Sequence, residues 1–204
     1  DTDFSLIAQS IESQIEVAIS EGRKYFIVIV NMMTTMFGSV DDFQLYVNVL
    51  KSKSLPFKMH VDAAFGGFYY PFSNKECQLN FSNEHVSSVT LDAHKMAQAP
   101  YGTGVFICRK GLIENVLTKE AEYVEGMDLT LCGSRSGANA VAVWMILFTY
   151  GPNGWFEKIS ILQNCDKIIF VSARITAAHC HNGCKTRIMV FNIDIFQSTI
   201  VRCC

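Results

Sequence analysis

Apolar residues recur at three- and four-residue intervals at the start of the chain: Phe4, Ile7, Ile11, Ile15 and Ala18. That spacing puts them on one helical face, and Gly22 just beyond suits a C-terminal cap. From Tyr25 to Val30 the pattern becomes an unbroken apolar, β-branched run. Short and apolar on both faces, it predicts a buried parallel strand. Helical spacing returns over Asp41–Leu50, with Asp41 and Asp42 in the first turn, where carboxylates complement the helix dipole. Further short strands are predicted at Phe57–Val61 (introduced by Pro56), Val86–Leu91 and Gly104–Cys108. Ser136–Tyr150 reads as a helix, and its stripe of Trp144, Met145, Leu147 and Phe148 is expected in the core. Gly151-Pro152-Asn153-Gly154 is the strongest breaker in the chain. After it, Trp155–Ala178 reads as one long helix and Arg187–Ile195 as a strand.

Alternating helices and short apolar strands imply an α/β fold with a mostly parallel sheet. A boundary near Gly151 divides the chain into residues 1–150, part of a larger domain whose N-terminal portion is expected to be missing, and 151–204, the start of a smaller α+β domain. No internal repeat or low-complexity stretch interrupts this order.

Composition narrows the function classes. Half of the 204 residues are apolar and 18% are charged, which excludes intrinsic disorder as a description of the whole chain. The 17 basic and 19 acidic side chains leave a net charge of −2, so no basic footprint for nucleic acid exists. No apolar run reaches the ~18 residues of a membrane span. The chain opens on Asp1-Thr2-Asp3, acidic where the basic start of a secretory leader would lie, and a cytoplasmic protein is expected. Position 1 is not Met, so the chain is expected to be processed or part of something longer. Of the eight cysteines, Cys77, Cys108, Cys132 and Cys165 are expected to be reduced thiols.

Two segments could carry chemistry. In His60-Val61-Asp62-Ala63-Ala64-Phe65-Gly66-Gly67, an aspartate ends a strand and small residues follow. In open parallel sheets that edge binds ligands, and a carboxylate beside alanine and glycine can approach a flat ring closely. Taken alone, Asp62 could equally cap the next turn. In Ser88-Val89-Thr90-Leu91-Asp92-Ala93-His94-Lys95-Met96, a second strand ends in a His-Lys pair. Lysine is seldom buried unless it is used, and a desolvated lysine can act as an amine nucleophile. Together, Asp62 and Lys95 suit an aldehyde cofactor with a basic ring nitrogen.

These residues resemble the group II pyridoxal-phosphate-dependent amino-acid decarboxylases of fold type I. The Thr34-Thr35-Met36-Phe37-Gly38-Ser39-Val40-Asp41-Asp42 segment is similar to the family's upstream Thr-Thr segment. Gly133-Ser134-Arg135-Ser136-Gly137-Ala138 is similar to its downstream Gly-Ser/Thr-Arg-Ser-Gly motif. The nearest branch is that of the archaeal-type tyrosine/aspartate decarboxylases, with sphingosine-phosphate lyase a more distant relative. The resemblance runs from the first helix to about residue 175, and family members extend further at both ends, so the chain reads as a partial copy.

The resemblance implies pyridoxal 5'-phosphate as cofactor, an L-amino acid of the tyrosine, aspartate or glutamate class as substrate, and a homodimer whose active sites form between protomers. It implies that Lys95 holds the cofactor as a Schiff base and that decarboxylation passes through a quinonoid. Asp62 would face the ring nitrogen and keep it protonated, so that the ring drains the carbanion's charge. Ala64 would pack on one ring face, and His94 would lie by the phosphate or the reacting carbon. Thr34 would reach the ring hydroxyl or the substrate carboxylate. Ser134 would join a phosphate site, with Arg135 helping or bracing the motif. Tyr123, in the polar segment 118–128, would return the proton to the reacting carbon. Two other readings stand beside this one: a non-catalytic remnant of such an enzyme, and a carbon–carbon lyase of the sphingosine-phosphate lyase type.

The remaining motifs carry less. His179-Cys180-His181-Asn182-Gly183-Cys184 has metal-ligand residue types but not a usual zinc spacing, and no metal is expected. Gly102-Thr103-Gly104 lacks the rest of a dinucleotide fingerprint.

Overall fold

The computed structural model describes the backbone of residues 4–116 and 134–179 and the side chains of residues 7–116 and 134–165. Tyr123, Cys132, the cluster from Cys180 to Cys184 and the strand expected at Arg187–Ile195 lie outside these residues.

The elements follow the expected order: α1 (Phe4–Ser20), β1 (Phe26–Asn31), α2 (Phe43–Ser52), β2 (Phe57–Ala63), α3 (Tyr70–Ser73), β3 (Val86–Asp92), β4 (Gly104–Cys108), a short 3-10 helix (Ile113–Val116) and α4 (Gly137–His179). The four strands form one sheet in the order β1-β2-β3-β4. β1, β2 and β3 run parallel, and β4 is antiparallel to β3. The sheet is therefore mostly parallel, as the alternation of elements implied. The short β3–β4 connection places β4 as a return strand.

The strand residues sort by parity, because successive side chains point to opposite faces. Val28, Val30, Met59, Val61, Ala63 and Val89 share one face and are buried. Val47 and Leu50 of α2 and Ile15 of α1 complete this core. A fully buried Val or Leu contributes roughly 1.5–3 kcal/mol, so this face is the main stabilising layer.

The opposite face carries Ile27, Ile29, His60, Asp62, Ser88, Thr90 and Phe106. Ile27 is 78% exposed and Ile29 59% exposed, which corrects the expectation that β1 is covered on both sides. The face is therefore open at β1, while His60, Ser88 and Thr90 further along it are half-buried.

Local chemistry fixes the element ends. Asp42 caps α2, its Oδ1 accepting the Gln44 N–H at 3.0 Å. Asp41 instead ties the end of β1: Asn31 donates both its backbone N–H (2.8 Å) and its side-chain amide (2.9 Å) to Asp41 Oδ2. Arg109, just past β4, donates to the carbonyls of Val86 (2.7 Å), Phe81 (3.0 Å) and Asn83 (2.8 Å), fixing the approach to β3.

α4 is kinked. Gly151 has φ 56 and ψ −177, outside the helical region, and Pro152 follows it. The breaker read from the sequence therefore acts as a kink between two helical runs. The stripe of Trp144, Met145, Leu147 and Phe148 is half or more exposed, contrary to its expected place in the core. α4 turns Val143, Ile146 and the edge of Leu147 toward Phe68, Ala93 and Ala97 instead. The described chain falls into two compact units that part between Ile159 and Ser160. The first carries the sheet, and the second comprises, among the described residues, the remainder of α4.

Candidate active site

The parallel register aligns Asn31, Asp62 and Thr90 across the C-terminal ends of β1, β2 and β3. This is the edge at which open parallel sheets bind ligands. Asp62 is exposed on the face opposite the core. Its Oδ1 accepts the Ala64 N–H at 3.1 Å, a local turn that aims the carboxylate outward. Its Oδ2 accepts no hydrogen bond among the described residues. Ala64 is half-buried beside it.

One step back on the same face lies His60. Its Nδ1 meets Ser88 Oγ at 2.8 Å and its Nε2 meets Thr90 Oγ1 at 3.2 Å. Phe106 stacks on the ring, with centroids 6.1 Å apart. Burial holds the imidazole below its ordinary pKa of 6.5, with the Asp62 charge pulling weakly the other way. His60 is thus a doubly held ring that engages the Ser88 and Thr90 hydroxyls.

Lys95 lies three residues past the end of β3. Its Nζ is 2.9 Å from Asp92 Oδ2, and His94 Nε2 is 3.8 Å from the same oxygen. The turn is closed by bonds from Lys95 N to Asp92 O (3.1 Å) and from Gln98 N to Lys95 O (3.1 Å). His94 packs on Tyr101, with ring centroids 5.1 Å apart, and its Nδ1 is buried without a hydrogen-bond partner among the described residues. Such orphaned groups are rare in folded proteins and call for an explanation.

The second half of α4 braces both loops. Trp155 Nε1 donates to the Phe68 carbonyl at 2.6 Å, beyond β2, and Lys158 Nζ donates to Gln98 Oε1 at 3.1 Å, beyond β3. The Lys158 ammonium also sits over the Tyr150 and Trp155 rings, 4.7 and 5.1 Å from their centroids.

Asp62 thus stands at the end of β2 and Lys95 just past the end of the adjacent parallel strand β3. The profile of the pyridoxal-dependent decarboxylase conserved domain matches residues 1–182.

The chain belongs to this family.

Within the family, it is 61% identical over 158 residues to a tryptophan decarboxylase of Clostridium sporogenes, covering 78% of this chain and 38% of the relative. It is 37% identical over 142 residues to a probable L-tyrosine/L-aspartate decarboxylase of Methanothrix thermoacetophila, covering 69% of this chain and 37% of the relative. The chain thus spans somewhat over a third of the length of these relatives. In three dimensions it is similar to mouse CSAD in apo form, with a TM-score of 0.63 at 22% identity over 81% of this chain and 36% of that one. That likeness identifies the fold as fold type I of the pyridoxal-phosphate enzymes.

The residues singled out from the family resemblance fall into three sets. Asp62, Ala64, His94 and Lys95 stand on two adjacent strand ends. Thr34 follows β1, and its hydroxyl is already engaged with Ser39 Oγ at 2.7 Å and the Ser39 N–H at 3.2 Å. Ser134 is exposed, preceding α4. The side chains present fit the family's cofactor on two observations, the vacant Asp62 Oδ2 and the orphaned His94 Nδ1.

Sequence reasoning assigned no role to His60, Ser88, Thr90 or Asp92. A signal was present for the first three. His60 and Asp62, like Ser88 and Thr90, are two apart on strands, and the period of two puts them on one face. Asp92 gave no such signal, because the backbone turn after β3 is what brings its carboxylate onto Lys95.

Proposed function

We propose that this chain carries the lysine-and-aspartate part of the active site of a pyridoxal-phosphate-dependent L-amino-acid decarboxylase, and that its substrate is aromatic, with tryptophan the first candidate. The observation that carries the activity is the placement of Asp62 at the end of β2 and of Lys95 three residues past the end of the adjacent parallel strand β3. Support for the substrate is the 61% identity to a tryptophan decarboxylase, against 37% to a probable tyrosine/aspartate enzyme. This moves the preference away from the tyrosine, aspartate or glutamate class expected from motifs alone.

When bound, the cofactor supplies an electrophilic aldehyde and a ring that accepts electrons as carbon dioxide leaves. Lys95 would hold the aldehyde carbon through its Nζ. Asp62, through Oδ2, would keep a proton on the ring nitrogen by charge pairing. Ala64 leaves the flat approach that a larger side chain would obstruct. His94, already packed on Tyr101, would turn its unpartnered Nδ1 to the phosphate or the reacting carbon. Thr34 and Ser134 would add polar contacts, Thr34 after exchanging its Ser39 bond. Tyr123 would serve as proton donor, and Arg135 would brace the segment before α4.

The reading also carries a homodimer, with exposed Ser134 offered to the neighbouring protomer's phosphate site, and a cytoplasmic location. No helix among the described residues is long and apolar enough to cross a membrane.

The test is amine formation from a panel of tryptophan, tyrosine, phenylalanine, aspartate and glutamate, with added cofactor. Tryptamine from tryptophan, lost in Lys95→Ala and strongly reduced in Asp62→Asn, is the expected result. Preferential turnover of an acidic amino acid would overturn the substrate assignment. Equal turnover by wild type and Lys95→Ala would overturn the activity.

A further inference from the structure

We propose that Asp92 is a positioning residue that holds the Lys95 amine in reserve and must release it before that amine can react. The proposal rests on the reading of Lys95 as the cofactor lysine. It goes beyond that reading, because it names a group that restrains the amine.

Three observations carry it. First, Asp92 Oδ2 lies 2.9 Å from Lys95 Nζ, the shortest ion-pair distance among the described residues together with that of Lys53 and Glu16. Second, Asp92 itself is held firmly. Its N–H bonds the Ala64 carbonyl at 3.3 Å, the next N–H, of Ala93, bonds the Thr103 carbonyl at 3.1 Å, and its register partner on β4 is Gly104. Third, the position opposite is small. A Cβ added at Gly104 would stand 3.4 Å from Asp92 Oδ1, an ordinary van der Waals contact, so the β4 side does not press on the carboxylate. The side chains of Asp92 and Lys95 are 20% and 35% exposed. That partial shielding strengthens a charge-assisted bond relative to the same pair in open water.

An ammonium carries no lone pair, so Lys95 Nζ would first give up one proton to solvent. For Lys95 to take up an aldehyde it must leave Asp92. A carbon–nitrogen double bond would then form at Nζ, and the carbonyl oxygen would leave as water with the two hydrogens of the amine. His94 Nε2, 3.8 Å from the same oxygen, is placed to take over the carboxylate as Lys95 departs. Asp92 therefore fixes where Lys95 waits and slows its first reaction.

The experiment compares wild type with Asp92→Asn, which keeps the shape and removes the charge. Two reactions are read by peptide mass spectrometry. One is acylation of Lys95 by an excess of acetic anhydride, with exposed Lys58 as internal reference. The other is covalent capture of pyridoxal phosphate at Lys95, trapped with borohydride. In Asp92→Asn, acylation of Lys95 relative to Lys58 should rise about three- to tenfold, between the values for exposed and shielded charged bonds. Cofactor capture should quicken in parallel. If acylation rises but neither protein captures cofactor at Lys95, the restraint by Asp92 stands and the reading of Lys95 as the cofactor lysine falls. Unchanged or slower acylation overturns the proposal whatever the capture shows. Asp92→Ser repeats the comparison if circular dichroism finds Asp92→Asn unfolded, and the same rise or its absence decides.

Discussion

Gly66→Ala should destabilise the chain sharply, and the reason lies in how closely β1 approaches the loop that carries Asp62. An added Cβ at Gly66 would overlap the backbone carbonyl oxygen of Met32 and lie 2.8 Å from Met33 Cβ and 2.9 Å from its Cγ. Real packed atoms do not approach so closely, and the carbonyl cannot swing aside. Met32 is buried, and its N–H bonds the Asp62 carbonyl at 2.8 Å, so displacing it pulls on the strand pairing next to Asp62. Overpacking typically costs about 1–3 kcal/mol, and an obstacle made of backbone places this case at about 3 kcal/mol or above. Gly137→Ala is the matched control. It opens α4, and nothing lies within 4 Å of its added Cβ, so stability should change by no more than about 0.5 kcal/mol. Urea unfolding followed by tryptophan fluorescence reads both. With a slope of about 1–3 kcal/mol/M, Gly66→Ala should lower the midpoint by about 1–3 M while Gly137→Ala leaves it nearly unchanged. A Gly66→Ala midpoint equal to that of wild type would refute the close approach of β1 to this turn.

Three further outcomes follow from named contacts. Arg109→Lys replaces a three-carbonyl fork with a point charge and should cost about 1.5–3 kcal/mol in urea unfolding, whereas a loss below about 0.5 kcal/mol would mean those bonds do not brace β3. Asp42→Ala removes the α2 cap and should cost about 1 kcal/mol by the same assay. Because burial holds the His60 imidazole below its ordinary 6.5, the unfolded chain binds a proton there that the folded chain refuses. Stability should therefore fall as pH drops below 6.5, and His60→Gln should flatten that dependence; an unchanged slope would show that His60 is not a held neutral ring.

Much of the fold was legible because its strands are short apolar runs set between turn residues. β4 was bounded correctly, and β1 to β3 were missed by at most two residues at an end. The antiparallel direction of β4 was not legible, since it depends on the short chain path from Lys95 to Gly104 rather than on the strand's own pattern. α3 and the 3-10 helix are single turns without a period to read. Trp144 and Phe148 misled, because hydrophobic composition on a helix does not say which side finds a partner. For the site, Asp62 and Lys95 were legible as strand-end residues of unusual type. The Asp92 and His60 contacts were not, because a turn and a cross-strand register create them.

The account's central claim is that Asp62 and Lys95 form one site for pyridoxal phosphate. Borohydride trapping of the cofactor followed by peptide mapping tests it most directly, in wild type, Lys95→Ala and Asp62→Asn. The expected result is a single modified residue, Lys95, lost in Lys95→Ala and formed more weakly in Asp62→Asn. Modification spread over exposed lysines, with the same pattern in all three proteins, would contradict the claim.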